Sequence, residues 1–266
     1  MSIFSVSNLS AGYGSRKVVD ALSFTAGCGQ LVGILGANGC GKTTLLKAVC
    51  GILPHTGTCT LHGTQLDDLS ARQIARLVSY IPQRSGISLD MSALDVVLMG
   101  FNPQLSLLAH PTPAMHKAAF NALTRVGLAN RAQDNYQHLS EGQKQLCILA
   151  RTLVSPASLL LLDEPESALD FRHRHRMLSI IRKWLQEGER CAVVTLHDPA
   201  LALNTCDTLL LIDKGRCIGT LHPREDSCEA MAKGLSSIYG PVHVTVCRDS
   251  KGAPHIVMLK EEEEWL

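Results

Sequence analysis

Gly36-Ala37-Asn38-Gly39-Cys40-Gly41-Lys42-Thr43 carries the reading of this chain. It matches the phosphate-loop pattern G-x-x-x-x-G-K-[ST] at every fixed position. An apolar run, Leu31-Val32-Gly33-Ile34-Leu35, precedes it, and a helix-like run, Thr44-Leu45-Leu46-Lys47-Ala48-Val49, follows. That is the strand–loop–helix setting the pattern requires. Glycines let the backbone wrap an anion without Cβ clashes. The freed N–H groups and the helix N-terminus then face the phosphate. Lys42 supplies a point charge to the terminal phosphates and Thr43 a hydroxyl to Mg²⁺. Gly36, Asn38, Gly39, Cys40, Gly41 and Thr44 complete the candidate phosphate cradle. The alternative is a glycine-rich turn with a chance lysine, and the flanking runs speak against it.

Outward from the loop, residues 3–35 alternate as strands do, with turn signals at Gly12-Tyr13-Gly14 and Gly27-Cys28-Gly29. Residues 51–83 read as short strands and a helix. From about 85 to 150 the spacing turns helical, as in Ala93–Met99, interrupted by a Pro/His-rich loop from Asn102 to Pro113. Strands return at Leu159–Leu162, Cys191–Leu196 and Leu209–Ile212, separated by helical stretches. This alternation predicts a mostly parallel sheet wrapped by helices, an α/β fold. Val242–Val246 and His255–Met258 flank Asp249-Ser250-Lys251-Gly252 and predict a β-hairpin. The expected division is a unit over 1–240 with a tail over 241–266.

The 266 residues suffice for one large domain or a domain with an inserted lobe. The 25 Lys+Arg against 24 Asp+Glu leave no basic stripe, which argues against a nucleic-acid partner. The run Glu261–Glu264 reads as a solvated end. The ten cysteines are scattered without a C-x-x-C pair, which fits a reducing compartment without a disulfide frame or zinc site. The N-terminus lacks the layout of a signal peptide. No run approaches the roughly 18 apolar residues of a membrane helix. A cytoplasmic chain that needs a partner to act at a membrane is the expectation.

Two further stretches extend the candidate site. Leu159-Leu160-Leu161-Leu162-Asp163-Glu164-Pro165 is a buried-strand pattern ending in two carboxylates. Ligands of doubly wound sheets sit at such strand ends. There Asp163 would help hold Mg²⁺ and Glu164 would polarise an attacking water. Leu139-Ser140-Glu141-Gly142-Gln143 precedes the helical run Gln145–Arg151.

With these motifs the chain resembles the ATP-binding cassette (ABC) family over nearly its whole length. The resemblance implies a P-loop NTPase cassette: a RecA-like core, an N-terminal antiparallel β subdomain and an inserted α-helical subdomain at about 85–150. Tyr13 matches the aromatic that stacks on adenine, though alone it could be a turn aromatic. Gln83 matches the glutamine loop that reaches Mg²⁺. Ser167-Ala168-Leu169-Asp170 matches the loop after the Asp-Glu pair. His197 matches the switch histidine, though alone it reads as a hydrogen-bonded strand-end residue. The family signature is usually L-S-G-G-Q, and Glu141 departs from it. That carboxylate either points to solvent or acts as a brake on closure.

The resemblance implies an ATPase acting as a head-to-tail homodimer, with catalysis assigned to Glu164, His197 and Lys42. Ser140, Gly142, Gln143 and Asp170 would serve the ATP bound by the partner copy. Ser92–Gly100 and Ile238–Val244 are similar to importers of iron–siderophore, haem and cobalamin. That implies two separate permease subunits, an external substrate-binding protein, and a peripheral place on the cytoplasmic face of the inner membrane. Importers of amino acids or lipids, and a soluble non-transport ABC ATPase, are the rival classes. His173 and His175 alternate with arginines and read as a cationic helix face rather than a metal site.

Overall fold

The computed structural model describes residues 2–83, 86–106 and 108–261. Of the acidic run at the C-terminus, Glu262–Glu264 lie outside the described residues.

The chain opens with two long strands, β1 (Ser2–Tyr13) and β2 (Arg16–Gly27), paired antiparallel. Next come β3 (Leu31–Leu35), α1 (Lys42–Val49), β4 (His55–Leu61) and β5 (Thr64–Gln65). The first sheet runs β2-β1-β4-β5. One face of β1 and β2 is apolar by strict alternation: Phe4, Val6, Leu22, Phe24 and Ala26 are buried. The Phe4 and Phe24 rings meet edge to face at 5.8 Å.

The middle of the chain is helical: α2 (Ala71–Leu77), β6 (Val78–Ile81), α3 (Ala93–Leu98), α4 (Pro113–Val126) and α5 (Glu141–Leu153). Its helices start where capping chemistry starts them. Ser92 and Ser140 each form a capping box with the residue three positions on, and Thr112 caps α4 ahead of Pro113. Alternating elements follow: β7 (Leu159–Asp163), α6 (Phe171–Leu185), β8 (Cys191–Thr195), α7 (Pro199–Thr205), β9 (Thr208–Asp213), β10 (Arg216–Leu221) and α8 (Cys228–Tyr239). The hairpin β11 (Val242–Arg248) and β12 (Pro254–Lys260) closes the chain. It is tied to α7 by a reciprocal pair of hydrogen bonds between Asn204 and the backbone of Ile256.

The central sheet has the order β10-β9-β3-β8-β7-β6, parallel except at the β9–β10 edge. Every residue of β3, β7 and β8 is buried, as expected of strands covered on both faces. Leu160 and Leu162 pack with the helical segment and α6, while Leu159 and Leu161 pack with α1 and the antiparallel sheet. Two cores thus share one sheet. The parallel strands β3, β6, β7 and β8 deliver their C-terminal loops to one edge, where the candidate site is assembled.

Candidate active site

The loop after β3 is held in its shape by steric limits. A Cβ on Gly36 would lie 2.3 Å from the Ile212 carbonyl oxygen, and Gly41 sits at φ +110° as the residue before α1. Only glycine meets both demands. Lys42 is buried at 4% exposure, and its ammonium donates to the carbonyls of Gly36 (2.9 Å) and Ala37 (3.3 Å). The Cys40 thiol packs inward toward Gly36, and burial pushes it above its usual range.

Tyr13, half-exposed at the end of β1, lines a cleft of about 370 Å³ with Arg16, Val18, Asn38, Gly39, Gly41–Thr44 and Glu164. An apolar ring at one end of this cleft and a helix N-terminus with a lysine at the other suit a nucleotide. A larger hollow of about 560 Å³, lined by Ser10–Lys17 and Leu53–Thr56, shares Tyr13 and Arg16 with it but none of the phosphate loop. The smaller cleft is the one that the phosphate loop and Glu164 line.

Behind the cradle, β7 and β8 pair so that Asp163 faces Thr195. The buried Thr195 hydroxyl donates to Asp163 Oδ1 (3.0 Å) and accepts the Glu164 amide (2.8 Å). The Thr43 hydroxyl donates to the same Asp163 oxygen at 3.1 Å, and the Tyr80 hydroxyl to the other at 3.3 Å. Burial, then the neighbouring Asp163 charge, push the Tyr80 phenol well above its ordinary range, so it stays a donor. The juxtaposed Thr43 hydroxyl and Asp163 carboxylate form the hard oxygen set that Mg²⁺ prefers. Both fit the ion.

Glu164 sits at φ +48°, a left-handed conformation that a non-glycine residue adopts at a cost of about 1–3 kcal/mol. The turn aims its carboxylate along the cleft. Oε2 accepts from Gln83 Nε2 at 2.6 Å and lies 2.6 Å from His197 Nε2, and Oε1 lies 3.8 Å from the Lys42 ammonium. One buried carboxylate is thus held by groups from β6, β8 and α1. Gln83 meets Glu164 rather than the Thr43–Asp163 pair in this arrangement.

The remaining sequence candidates do not join the cleft. Ser140 caps α5, and its hydroxyl accepts the Gln143 amide at 3.3 Å while Gln143 Oε1 accepts the Ser140 amide at 3.0 Å. Glu141 points to solvent and pairs with Lys144 at 2.8 Å. Gly142 packs toward Ala168 and Leu169, where a Cβ would meet the Ala168 carbonyl oxygen at 3.3 Å. Asp170 caps α6 and accepts both the His173 amide and Nδ1, which hold its carboxyl below the usual range. The His175 ring rests 4.5 Å from the exposed Phe171 ring. Among the described residues no group of three metal-ligating side chains is found.

Sequence reasoning passed over Thr195, Tyr80, Arg16 and Glu166. A threonine ending the otherwise apolar Cys191–Thr195 strand was the available signal for the first.

Fold and cleft together define a P-loop nucleoside triphosphatase, with the Glu164 carboxylate and the His197 ring in contact beside the phosphate loop. Comparison with known proteins gives the narrower assignment. The ABC transporter family model matches residues 19–167. The haemin import ATP-binding protein HmuV of Vibrio cholerae is 31% identical over 94% of this chain and 95% of its own length. A Helicobacter pylori protein, described as a probable iron chelatin transport ATP-binding protein, is 36% identical over 94% of this chain and 97% of its own. Among solved structures, a metal-chelate type ABC transporter in an inward-facing conformation superposes with a TM-score of 0.81 at 27% identity, covering 98% of this chain and 99% of that one. A nucleotide-free ATP-binding cassette shares the fold with a TM-score of 0.77 at 21% identity, over 89% of this chain and 96% of that one. The chain belongs to the ABC transporter family and is an ATP-binding cassette ATPase.

Proposed function

We propose that this chain energises import of a metal chelate, of the haem, iron–siderophore or cobalamin type, through a separate permease. The carrying observation is the similarity over nearly the whole chain to import ATP-binding proteins for haemin and iron chelatin, joined to the contact of Glu164 with His197 beside the phosphate loop. A Halobacterium salinarum relative described as a cobalamin import ATP-binding protein, 32% identical over 93% of this chain and 64% of its own length, supports the same class. Residues 1–240 form the working ATPase unit and 241–266 an appended tail. Among the described residues no helix is long and apolar enough to cross a membrane. In this reading two permease subunits supply the path, and the cassette sits peripherally at the cytoplasmic face. An external substrate-binding protein delivers the chelate, and no nucleic acid takes part.

In this reading Tyr13 stacks on adenine and residues 36–44 cradle the phosphates, with Lys42 on the terminal ones. Water attacks the γ-phosphorus and the bond to the β–γ bridging oxygen breaks. Glu164 takes the water's proton, and His197 holds Glu164 in line. Thr43, Asp163 and Gln83 would hold Mg²⁺, which neutralises charge building on the phosphate oxygens. Two copies pack head to tail, so that Ser140, Gly142, Gln143 and Asp170 of one serve the ATP of the other. ATP binds the closed pair better than the open one and shifts that equilibrium.

Reconstitution with the cognate permease and binding protein tests this. Labelled haem, ferric siderophore or cobalamin should accumulate in vesicles with ATP. Glu164→Gln should cut turnover by roughly 10² or more while ATP still binds. Parental turnover in that variant would remove Glu164 from the chemistry. Uptake of an amino acid or lipid instead would overturn the chelate class.

A further inference from the structure

Glu166 is 2% exposed, three residues beyond β7, and no hydrolytic step uses it. Its Oε1 accepts the backbone amide of His197 at 3.0 Å. Its Oε2 is buried with no hydrogen-bond partner among the described residues. A buried carboxyl with one oxygen unsatisfied is costly, so its one bond should have a purpose.

The surroundings identify that purpose. Leu196 N is fixed to the β3 strand through the Ile34 carbonyl, and Asp198 begins α7 by capping Leu201 N. Between these two anchors, the amide of His197 has Glu166 as its partner. The imidazole itself is 42% exposed, so packing alone does not hold it. Its position follows from its backbone and from its 2.6 Å contact with Glu164. Glu164 and Glu166 thus grip the same histidine from one turn, the first by the ring and the second by the main chain. The turn that presents both is closed by Ser167 N to the Glu164 carbonyl and Leu169 N to the Glu166 carbonyl.

We propose that Glu166 is a positioning residue for hydrolysis, locking the loop after β8 to the loop after β7 so that His197 meets Glu164 in register. The bond is internal and survives when the ring contact opens, so His197 returns to one place after each turnover. Burial, the main cause, raises the Glu166 carboxyl above its usual range, so a neutral side chain of the same shape suits the position.

This inference rests on the catalytic roles given to Glu164 and His197, and its test separates the two. ATP turnover and nucleotide affinity are measured on the full chain for wild type, E166Q, E166L, H197A and H197A/E166L. E166Q keeps the acceptor oxygen and should retain turnover within about twofold. E166L removes the acceptor and should lower turnover about tenfold or more, with ATP affinity unchanged within about threefold. In the H197A background E166L should cost nothing further, because the two act as a unit. Should E166L fail to fold, E166S takes its place in the cycle, since its hydroxyl is too short to reach the His197 amide. Additive losses, or equal losses in turnover and affinity, would overturn the positioning role. Parental turnover in H197A would instead defeat the underlying catalytic assignment.

Discussion

Replacing Thr195 by valine tests the framework of the site more sharply than any change at Glu164. The two side chains have nearly the same shape, so packing changes little. What disappears is one hydroxyl in a fully buried position that serves two partners at once. The Glu164 amide is left without an acceptor, which costs about 1–3 kcal/mol. Asp163, as acceptor, loses the Thr195 donor but keeps Thr43 and Tyr80, so its share lies at the lower end of the about 1.5–3 kcal/mol range. A total loss of about 2.5–4.5 kcal/mol follows. At about 2–4 °C per kcal/mol for a chain of this size, the melting temperature should fall by roughly 5–18 °C. Thr195→Ser keeps the hydroxyl and removes one methyl, for about 1 kcal/mol. Urea unfolding of the three proteins provides the readout, alongside ATPase turnover at saturating Mg·ATP. Turnover should fall in T195V because the Glu164 turn loses its anchor, and should persist in T195S. A valine variant within about 0.5 kcal/mol of wild type would show that Thr195 does not organise the two carboxylates.

Three further outcomes are expected. Gln83→Ala should leave ATP affinity within a few-fold, since one neutral side-chain bond contributes about 0.5–1.5 kcal/mol, while transport in the reconstituted complex drops much further; equal losses in both would reduce Gln83 to a nucleotide ligand. Glu164→Gln with ATP should run as a dimer on gel filtration and return to monomer when Ser140→Arg is added; a dimer persisting in the double variant would count against the head-to-tail sandwich. Because the folded-state pKa of Glu166 is raised, its ionisation destabilises the fold as pH climbs from the ordinary carboxylate value toward the folded one, and the deficit persists above it. The stability of Glu166→Gln relative to wild type should therefore increase from pH 4 to pH 7, and a constant difference in thermal melts across that range would contradict the buried charge.

The parts of the site legible in the sequence are those whose chemistry is written in contiguous residues. The phosphate loop dictates its own backbone, and four leucines before Asp163 can only be a buried strand. His197 is legible because it terminates a second such strand. Thr195 and Tyr80 were not, because their meaning depends on strand register. Thr195 matters through its pairing opposite Asp163, 32 residues away in the chain, and Tyr80 reaches the same carboxylate across 83 residues. Glu166 reads as an ordinary loop carboxylate until the fold buries it against a main-chain amide. Glu141 posed a choice that its sequence context could not make, and its exposed ion pair with Lys144 places it toward solvent.

The way Glu164 is held bears on how a distant event reaches the chemistry. Its carboxylate touches groups from three elements besides its own strand: Gln83 after β6, His197 after β8 and Lys42 at the start of α1. Only one of these attachments lies next to the helical segment. Gln83 lies two residues after Ile81 and precedes the chain that leads into α3, so a shift of that segment would pull on Glu164 through one amide. The other attachments follow fully buried strands or open the helix after the glycine-limited loop. On the proposed function, a partner docking on the helical side would reorient Glu164 through Gln83 and leave the phosphate cradle in place, so turnover should change ahead of nucleotide affinity. Ser140 and Asp170 lie outside the cleft of their own chain, at the starts of α5 and α6, where each caps its helix through the amide three residues on. On the proposed function, the groups that meet a second copy thus stand on helix starts apart from the carboxylate cluster, so a variant at Ser140 should disturb pairing of the copies and leave the contacts of Glu164 intact.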